Sequence, residues 1–191
     1  MDSKNSVENN HESKPNLYLV GFMATGKSAI GRRVATALSM QFIDSDAEIE
    51  KKMKMSIPDI FKTFGEEKFR ELERDFIENG HPKTNCVISC GGGLTCREDM
   101  PQLVKSKGIA ICLFLPPETI LERSKLSNKR PLLNVDNPIE KIKSLLDERK
   151  KFYLKSGILV ALDGKNLAEA SETILRVYKN ALSPKKCRYN K

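Results

Sequence analysis

The chain has no apolar run approaching the ~20 residues needed to cross a bilayer, which excludes a helical membrane span. Its first 16 residues, MDSKNSVENNHESKPN, lack the apolar stretch of a secretory signal and the Arg-rich, acid-poor character of a transit peptide. These absences point to a cytoplasmic protein with a polar N-terminal extension over residues 1–16. Cysteine is sparse and odd in number, five in all (Cys86, Cys90, Cys96, Cys112, Cys187), so free thiols are expected rather than a disulfide framework. Cys86, Cys90 and Cys96 cluster, but spacings of four and six do not match a zinc site, and core or turn positions suit them better. No internal repeat is visible. The net charge of +8 draws half its value from a basic C-terminal tail over residues 183–191, through Lys185, Lys186, Arg188 and Lys191. No aromatic platform accompanies that tail, so a nucleic-acid partner is not expected, and the remaining positive charge suits anionic small-molecule ligands.

What the chain does have is the composition of one soluble domain: 191 residues, 39% hydrophobic and 30% charged. Apolar runs alternate with helical patterns through residues 17–182. Strands are expected at Tyr18–Val20, Phe42–Asp44, Val87–Ser89, Ile109–Leu115 and Leu159–Ala161. Helices are expected at Ser28–Ser39, Ile57–Asn79, Arg97–Lys105, Pro117–Leu126, Ile139–Lys155 and Leu167–Ala181, with Ser56 capping the second of these ahead of Pro58. This alternation predicts an α/β fold of three layers, with a mostly parallel five-stranded sheet between helices. One segment breaks the pattern. SKLSNKRPLLNVDNP, residues 124–138, is polar and carries two prolines, and a loop of about 15 residues within a compact domain is usually functional, so it is a candidate mobile lid.

Gly21-x4-Gly26-Lys27-Ser28, within LYLVGFMATGKSAIG, matches the phosphate-binding loop and has a strand before it and a helix after it. Glycines turn backbone N–H groups inward, and the start of the helix adds its positive dipole end. Lys27 supplies a point charge for the β- and γ-phosphates, and the Ser28 hydroxyl a ligand for Mg2+. The domain is therefore expected to bind a nucleoside triphosphate. A motor or switch protein usually carries a hydrophobic strand that ends in a metal-holding Asp. Here CVISC runs instead into Gly91-Gly92-Gly93, and the carboxylates lie elsewhere, in QFIDSDAEIE. Asp44 and Asp46 fall at the C-terminal end of the second strand, where open α/β sheets present their ligand crevice. Asp44 suits the Mg2+ shell and Asp46 an acceptor hydroxyl. The alternative is a helix N-cap, for which Asp46 ahead of AEIEKKM would suffice.

At this point the sequence resembles the shikimate kinase family. The resemblance covers Leu17 to about Tyr153 and rests on six motifs in order: GFMATGKS, DSD, SIPDIF...GEEKFRELE, SCGGG, RPLL and ERKKFY. It implies a P-loop kinase of nucleoside-monophosphate-kinase-like architecture that phosphorylates the 3-hydroxyl of shikimate with Mg·ATP, on the route to chorismate and aromatic amino acids. By the same resemblance, Gly21, Ala24, Thr25, Gly26, Lys27, Ser28 and Ala29 form the nucleotide loop. Arg123 stacks on adenine and Arg130 closes from the lid onto the phosphates. Arg70 and Arg149 clamp the substrate carboxylate, which Arg does bidentately and Lys does not. Asp46 holds the acceptor hydroxyls and takes the proton; Gly91, Gly92 and Gly93 approach the substrate with bare backbone; Phe61 and Phe69 flank its ring.

The departures from the family pattern are small. Ala24 stands where many members have Gly, and Ala29 replaces a frequent Ser or Thr. Read without the resemblance, Arg70 is a partner for Glu66, Glu67 or Glu73 on a charge-rich helix, and Phe61 and Phe69 are core residues. Two rival functions are a kinase of another small polyol acid such as gluconate and a non-catalytic nucleotide-binding module. The expected state is a monomer that acts on a small molecule, with no membrane partner.

Overall fold

A computed structural model describes residues 13–125 and 136–183, and its organising element is β1 (Asn16–Gly21), every residue of which is buried. A strand that is apolar on both faces must be covered on both, which antiparallel hairpins rarely achieve and parallel βαβ units do. Five strands accordingly form one parallel sheet in the order β2-β3-β1-β4-β5, where β2 is Gln41–Asp44, β3 Cys86–Ser89, β4 Gly108–Phe114 and β5 Ile158–Ala161. The helices are α1 (Lys27–Leu38), α2 (Ser45–Met53), α3 (Ile57–Asn79), α4 (Met100–Lys107), α5 (Pro117–Lys125), α6 (Pro138–Lys155) and α7 (Leu167–Leu182). α1 packs on α7, while α4 adjoins both α3 and α6, which gives the three layers. Tyr18, Val87, Ile88 and Ile111 are fully shielded at the centre of the core. Among the described residues no helix is long and apolar enough to cross a membrane.

Register brings the ligand-facing ends of the strands together. Leu19 and Asp44 both pair with Ser89, and Gly21 pairs with Leu113, so the exits of β1, β2 and β3 lie side by side at one end of the sheet. The opposite end is closed by polar contacts. Asn16, fully buried, accepts from the Cys86 N–H at 2.9 Å and donates to the Pro82 carbonyl at 2.7 Å. Cys86, Cys90 and Cys112 are buried free thiols and Cys96 is half-buried. Burial pushes the Cys112 thiol up to about 12 and the Cys90 thiol higher still.

Each expected strand lies within or overlaps an observed one. The helices differ in three ways. α2 forms where only a cap was considered, and its N-cap is Asp44 rather than Asp46: Asp44 Oδ1 accepts from the Asp46 N–H at 3.2 Å. α3 has the expected ends, with Ser56 accepting from the Asp59 N–H at 3.3 Å, but is broken at Gly65, whose φ of 81° and ψ of 175° no helix contains. The expected lid narrows because Ser124 and Lys125 finish α5 and Pro138 opens α6; residues 126–135, and with them Arg130, lie outside the described residues. Asn16, assigned to the N-terminal extension by sequence, opens β1.

The break in α3 sets how its first two turns, which carry Phe61, meet the segment that carries Arg70. Its backbone angles belong to a region essentially reserved for glycine. A Cβ at Gly65 would meet no atom within 4 Å, so the penalty of a side chain there is conformational and not steric. Gly65→Ala should therefore lower unfolding stability by about 1–3 kcal/mol, read as a lower urea midpoint at unchanged m-value.

Candidate active site

The loop between β1 and α1 is held from within. Lys27 donates from Nζ to the carbonyls of Gly21 at 2.9 Å and Phe22 at 2.8 Å, and the Thr25 hydroxyl donates to the Phe22 carbonyl at 2.8 Å. Gly26, the residue before α1, has φ 90°, which turns the loop into the start of the helix and leaves the first N–H groups of α1 facing the crevice. Ala24 also sits in the left-handed region, at φ 62°. At the end of β2, Asp44 uses its second oxygen, Oδ2, to accept from the Ser28 hydroxyl at 2.7 Å, and Ser89 at the end of β3 places its hydroxyl 3.1 Å from that of Ser28. One carboxylate and two hydroxyls at adjacent strand ends are hard oxygen donors of the kind Mg2+ takes when phosphate oxygens and water complete its shell. Among the described residues no group of three or more His, Cys, Asp or Glu side chains could hold a metal by itself.

Beyond the loop the crevice widens into a cavity of about 610 Å³. Its wall brings together Ala24, Gly26, Lys27, Ser28 and Ala29 from the phosphate loop, Asp44 and Asp46 from the β2–α2 junction, and Phe61, Phe69 and Arg70 from both parts of α3. Gly91, Gly92 and Gly93 follow from the loop after β3, Arg123 from α5 and Arg149 from α6. Gly21 and Thr25 do not line it: Gly21 ends β1 with no room for a Cβ against the Leu113 carbonyl, and Thr25 is fully buried beneath the loop it braces. The two phenyl rings pack 4.7 Å apart, and Phe69 is buried while Phe61 stays partly open.

Asp46 stands between the phosphate loop and the arginines. Burial raises its pKa, the Asp44 carboxylate adds to the rise, and Lys27 opposes it. Bare backbone is required next to it, since a Cβ on Gly91 would come 2.5 Å from Asp46 Oδ1. Arg70 is fixed by two carboxylates on its own helix, Glu66 at 2.8 Å and Glu73 at 2.7 Å. Burial works against its charge, and Glu73 and Glu66 more than restore it. Its guanidinium faces Gly93, where a Cβ would lie 2.8 Å from Nη1. Arg149 reaches the cavity from α6, with its guanidinium 5.9 Å from the centroid of the Phe22 ring. The result is a crevice with cationic groups at both ends and an acid between them.

Sequence reasoning named Glu73 only as a surface partner for Arg70 and missed that it is 2% exposed and lines the cavity. It sits on the buried stripe of α3 with Phe69, Phe76 and Ile77, at spacings of three and four, and that position was the available signal. A solvated reading fitted the charge-rich sequence, but a carboxylate on the inner stripe of a helix needs a partner, and Arg70 is three residues back. Burial pushes the Glu73 carboxyl up to about 7, against the pull of Arg70. The folded protein therefore holds this proton to higher pH than the unfolded chain. The associated stability is fully present below the unfolded value of about 4.5 and is lost as pH rises through about 7. Glu73→Gln should flatten the fall in unfolding free energy between about pH 5 and pH 8 by about 1–3 kcal/mol, measured by urea titration at each pH.

A phosphate loop at the end of a central parallel strand, a hard-oxygen cluster beside it and a carboxylate that shares the cavity with a pair of arginines define a P-loop phosphotransferase of small molecules. Comparison with known proteins narrows the class. The sequence model of the family described as shikimate kinase matches residues 23–179. The shikimate kinase of Thermodesulfovibrio yellowstonii is 40% identical over 163 residues, 85% of this chain and 94% of that protein. The solved shikimate kinase from Acinetobacter baumannii in complex with shikimate superposes with a TM-score of 0.80 at 33% identity, over 88% of this chain and 94% of that one. A gluconokinase from Sinorhizobium meliloti 1021 shares the fold alone, with a TM-score of 0.54 at 15% identity, over 88% of this chain and 95% of that one. The chain belongs to the shikimate kinase family.

Proposed function

We infer that this protein transfers the γ-phosphoryl group of ATP to the 3-hydroxyl of shikimate. The single observation that carries the reading is that Asp46 shares one cavity with Lys27 and Ser28 of the phosphate loop and with Arg70 and Arg149. A small hydroxylated carboxylic acid needs cations for its carboxylate and an acceptor for its hydroxyl, and a donor triphosphate needs the loop. The phosphate-facing half fits a nucleotide because N–H groups, an ammonium and a helix start converge there.

In this reading the guanidinium groups of Arg70 and Arg149 grip the carboxylate and set the ring against Gly91–Gly93, with Phe61 and Phe69 along its apolar side. The oxygen of the 3-hydroxyl then forms a bond to the γ-phosphorus as the bond to the ADP oxygen breaks, and the proton passes to Asp46. Burial gives Asp46 a higher proton affinity than an ordinary aspartate, which favours its taking that proton. Lys27 leaves its loop carbonyls for the phosphate oxygens as the nucleotide enters. Ser28 and Asp44 would hold Mg2+, whose charge offsets that on the β- and γ-oxygens when bound. The transition state is loose, so catalysis depends on positioning and electrostatics more than on base strength. Arg123 is read as the adenine-side group; it approaches Gly26, where a Cβ would stand 3.8 Å from its Nη1. Arg130, outside the described residues, is proposed as the lid cation from its motif alone.

The paired arginines would suit gluconate too, but the gluconokinase likeness extends to the fold only. ADP release should depend on shikimate and stay at the no-acceptor level with gluconate; the reverse dependence would move the substrate assignment. Asp46→Asn should reduce kcat by about 100-fold or more. Arg149→Lys should reduce kcat/KM for shikimate by about 30–100-fold, the loss of a bidentate charged pair. Both variants should melt within a few degrees of the parent, and near-parental turnover in either would overturn the role given to that residue.

A further inference from the structure

The loop that presents Gly91–Gly93 supports only part of its own backbone. The Leu94 N–H bonds the Gly91 carbonyl at 3.1 Å and the Cys96 N–H bonds the Gly93 carbonyl at 2.9 Å. The Gly92 carbonyl between them accepts from the Tyr153 hydroxyl on α6 at 2.7 Å and, at the longer reach of sulfur, from the Cys96 thiol of its own loop at 3.9 Å. Tyr153 is 7% exposed, and Arg149 stands four residues earlier on the same face of α6, close enough for its charge to act on the phenol. The other groups around that oxygen are the Cys96 thiol and, at 3.9 Å from the Cys96 sulfur, the Gly92 carbonyl itself.

We propose that Tyr153 is a positioning residue of the acceptor half-site, whose hydroxyl ties the turn of α6 that carries Arg149 to the glycine loop and so fixes the distance between the two. The proposal rests on the reading of Arg149 and Gly91–Gly93 as acceptor-binding groups. It assigns Tyr153 a role through them and no contact with substrate. The tie itself is the bond from the Tyr153 O–H to the Gly92 carbonyl, made one helical turn beyond Arg149 on α6. Burial raises the phenol pKa far above its usual value, so the hydroxyl stays a donor throughout the physiological range. The loop needs this hold because its other side has no latitude. Gly92 lies against the phosphate loop, with a Cβ position only 3.3 Å from the Met23 nitrogen. Arg149 is held on its far side by the Phe22 ring. The clamp arm and the bare backbone opposite it are thus set by one phenolic oxygen and two adjacent residues of the phosphate loop, Phe22 and Met23.

Tyr153→Phe in the full chain keeps the ring and deletes the hydroxyl. The KM for shikimate should rise 5- to 20-fold, with kcat reduced less than threefold, the KM for ATP within twofold, and the melting temperature within a few degrees. Amide exchange over residues 90–96, read by mass spectrometry without nucleotide or acceptor, should quicken at least threefold. An unchanged KM or unchanged exchange in a folded variant would overturn the proposal. So would a matching effect from Cys96→Ala, because the thiol rather than the phenol would then hold the loop. Exchange needs no turnover, so a parent protein that failed to phosphorylate shikimate would sink the functional reading while the exchange comparison still decided the role of Tyr153.

Discussion

The constraint on which the molecule depends is the complete burial of β1. A strand shielded on both faces has parallel neighbours and helical cover, and parallel strands all release their chains at the same end. The phosphate loop, the Asp44 and Ser89 oxygens and the glycine loop are therefore brought together by topology before any of them makes a specific contact. Register then refines the grouping: Asp44 and Leu19 both stand opposite Ser89, so a carboxylate from one strand and a hydroxyl from the next flank the Ser28 hydroxyl without any long-range loop being needed.

Acid residues do most of the positioning, and each does it by a different route. Asp44 divides its two oxygens between capping α2 and holding Ser28, so the helix that carries Asp46 is locked to the cluster beside the phosphate loop. Glu66 and Glu73 hold Arg70 from one helix, so its guanidinium is oriented before an anion arrives. Pre-orientation of this kind lowers the entropy lost when the substrate binds. Burying Glu73 raises its proton affinity, which is the cost of keeping Arg70 in place; replacing the pair with apolar residues would pack as well and bind no carboxylate.

The fold was largely legible because its signals are local. The apolar runs of LYLV and IAICLF and the glycine-punctuated loop specify strand and turn without reference to distant residues. The capping of α3 by Ser56 was readable for the same reason. α2 was missed because nine residues with charges at most positions give little periodicity, and the break at Gly65 because an isolated glycine in a helical pattern reads as tolerated. For the site, the motif residues could be named, but motifs carry no information about what lies between them. That Glu73 is buried where it pairs with Arg70, and that Tyr153 reaches across from α6 to Gly92, follow only from packing. Thr25 lies within the loop motif, and its hydroxyl braces the loop from beneath by donating to the Phe22 carbonyl.

The buried thiols set how this protein meets oxidants and alkylating reagents. Cys90 directly precedes the glycine loop and Cys112 lies on the strand beside β1, yet both are shielded, with thiols held far from ionisation. Such reagents attack the thiolate, so the folded crevice offers them little at these positions despite a cysteine next to its working residues. Consumption of these thiols would count molecules that have opened, and the chain thus carries an internal clock for its own unfolding.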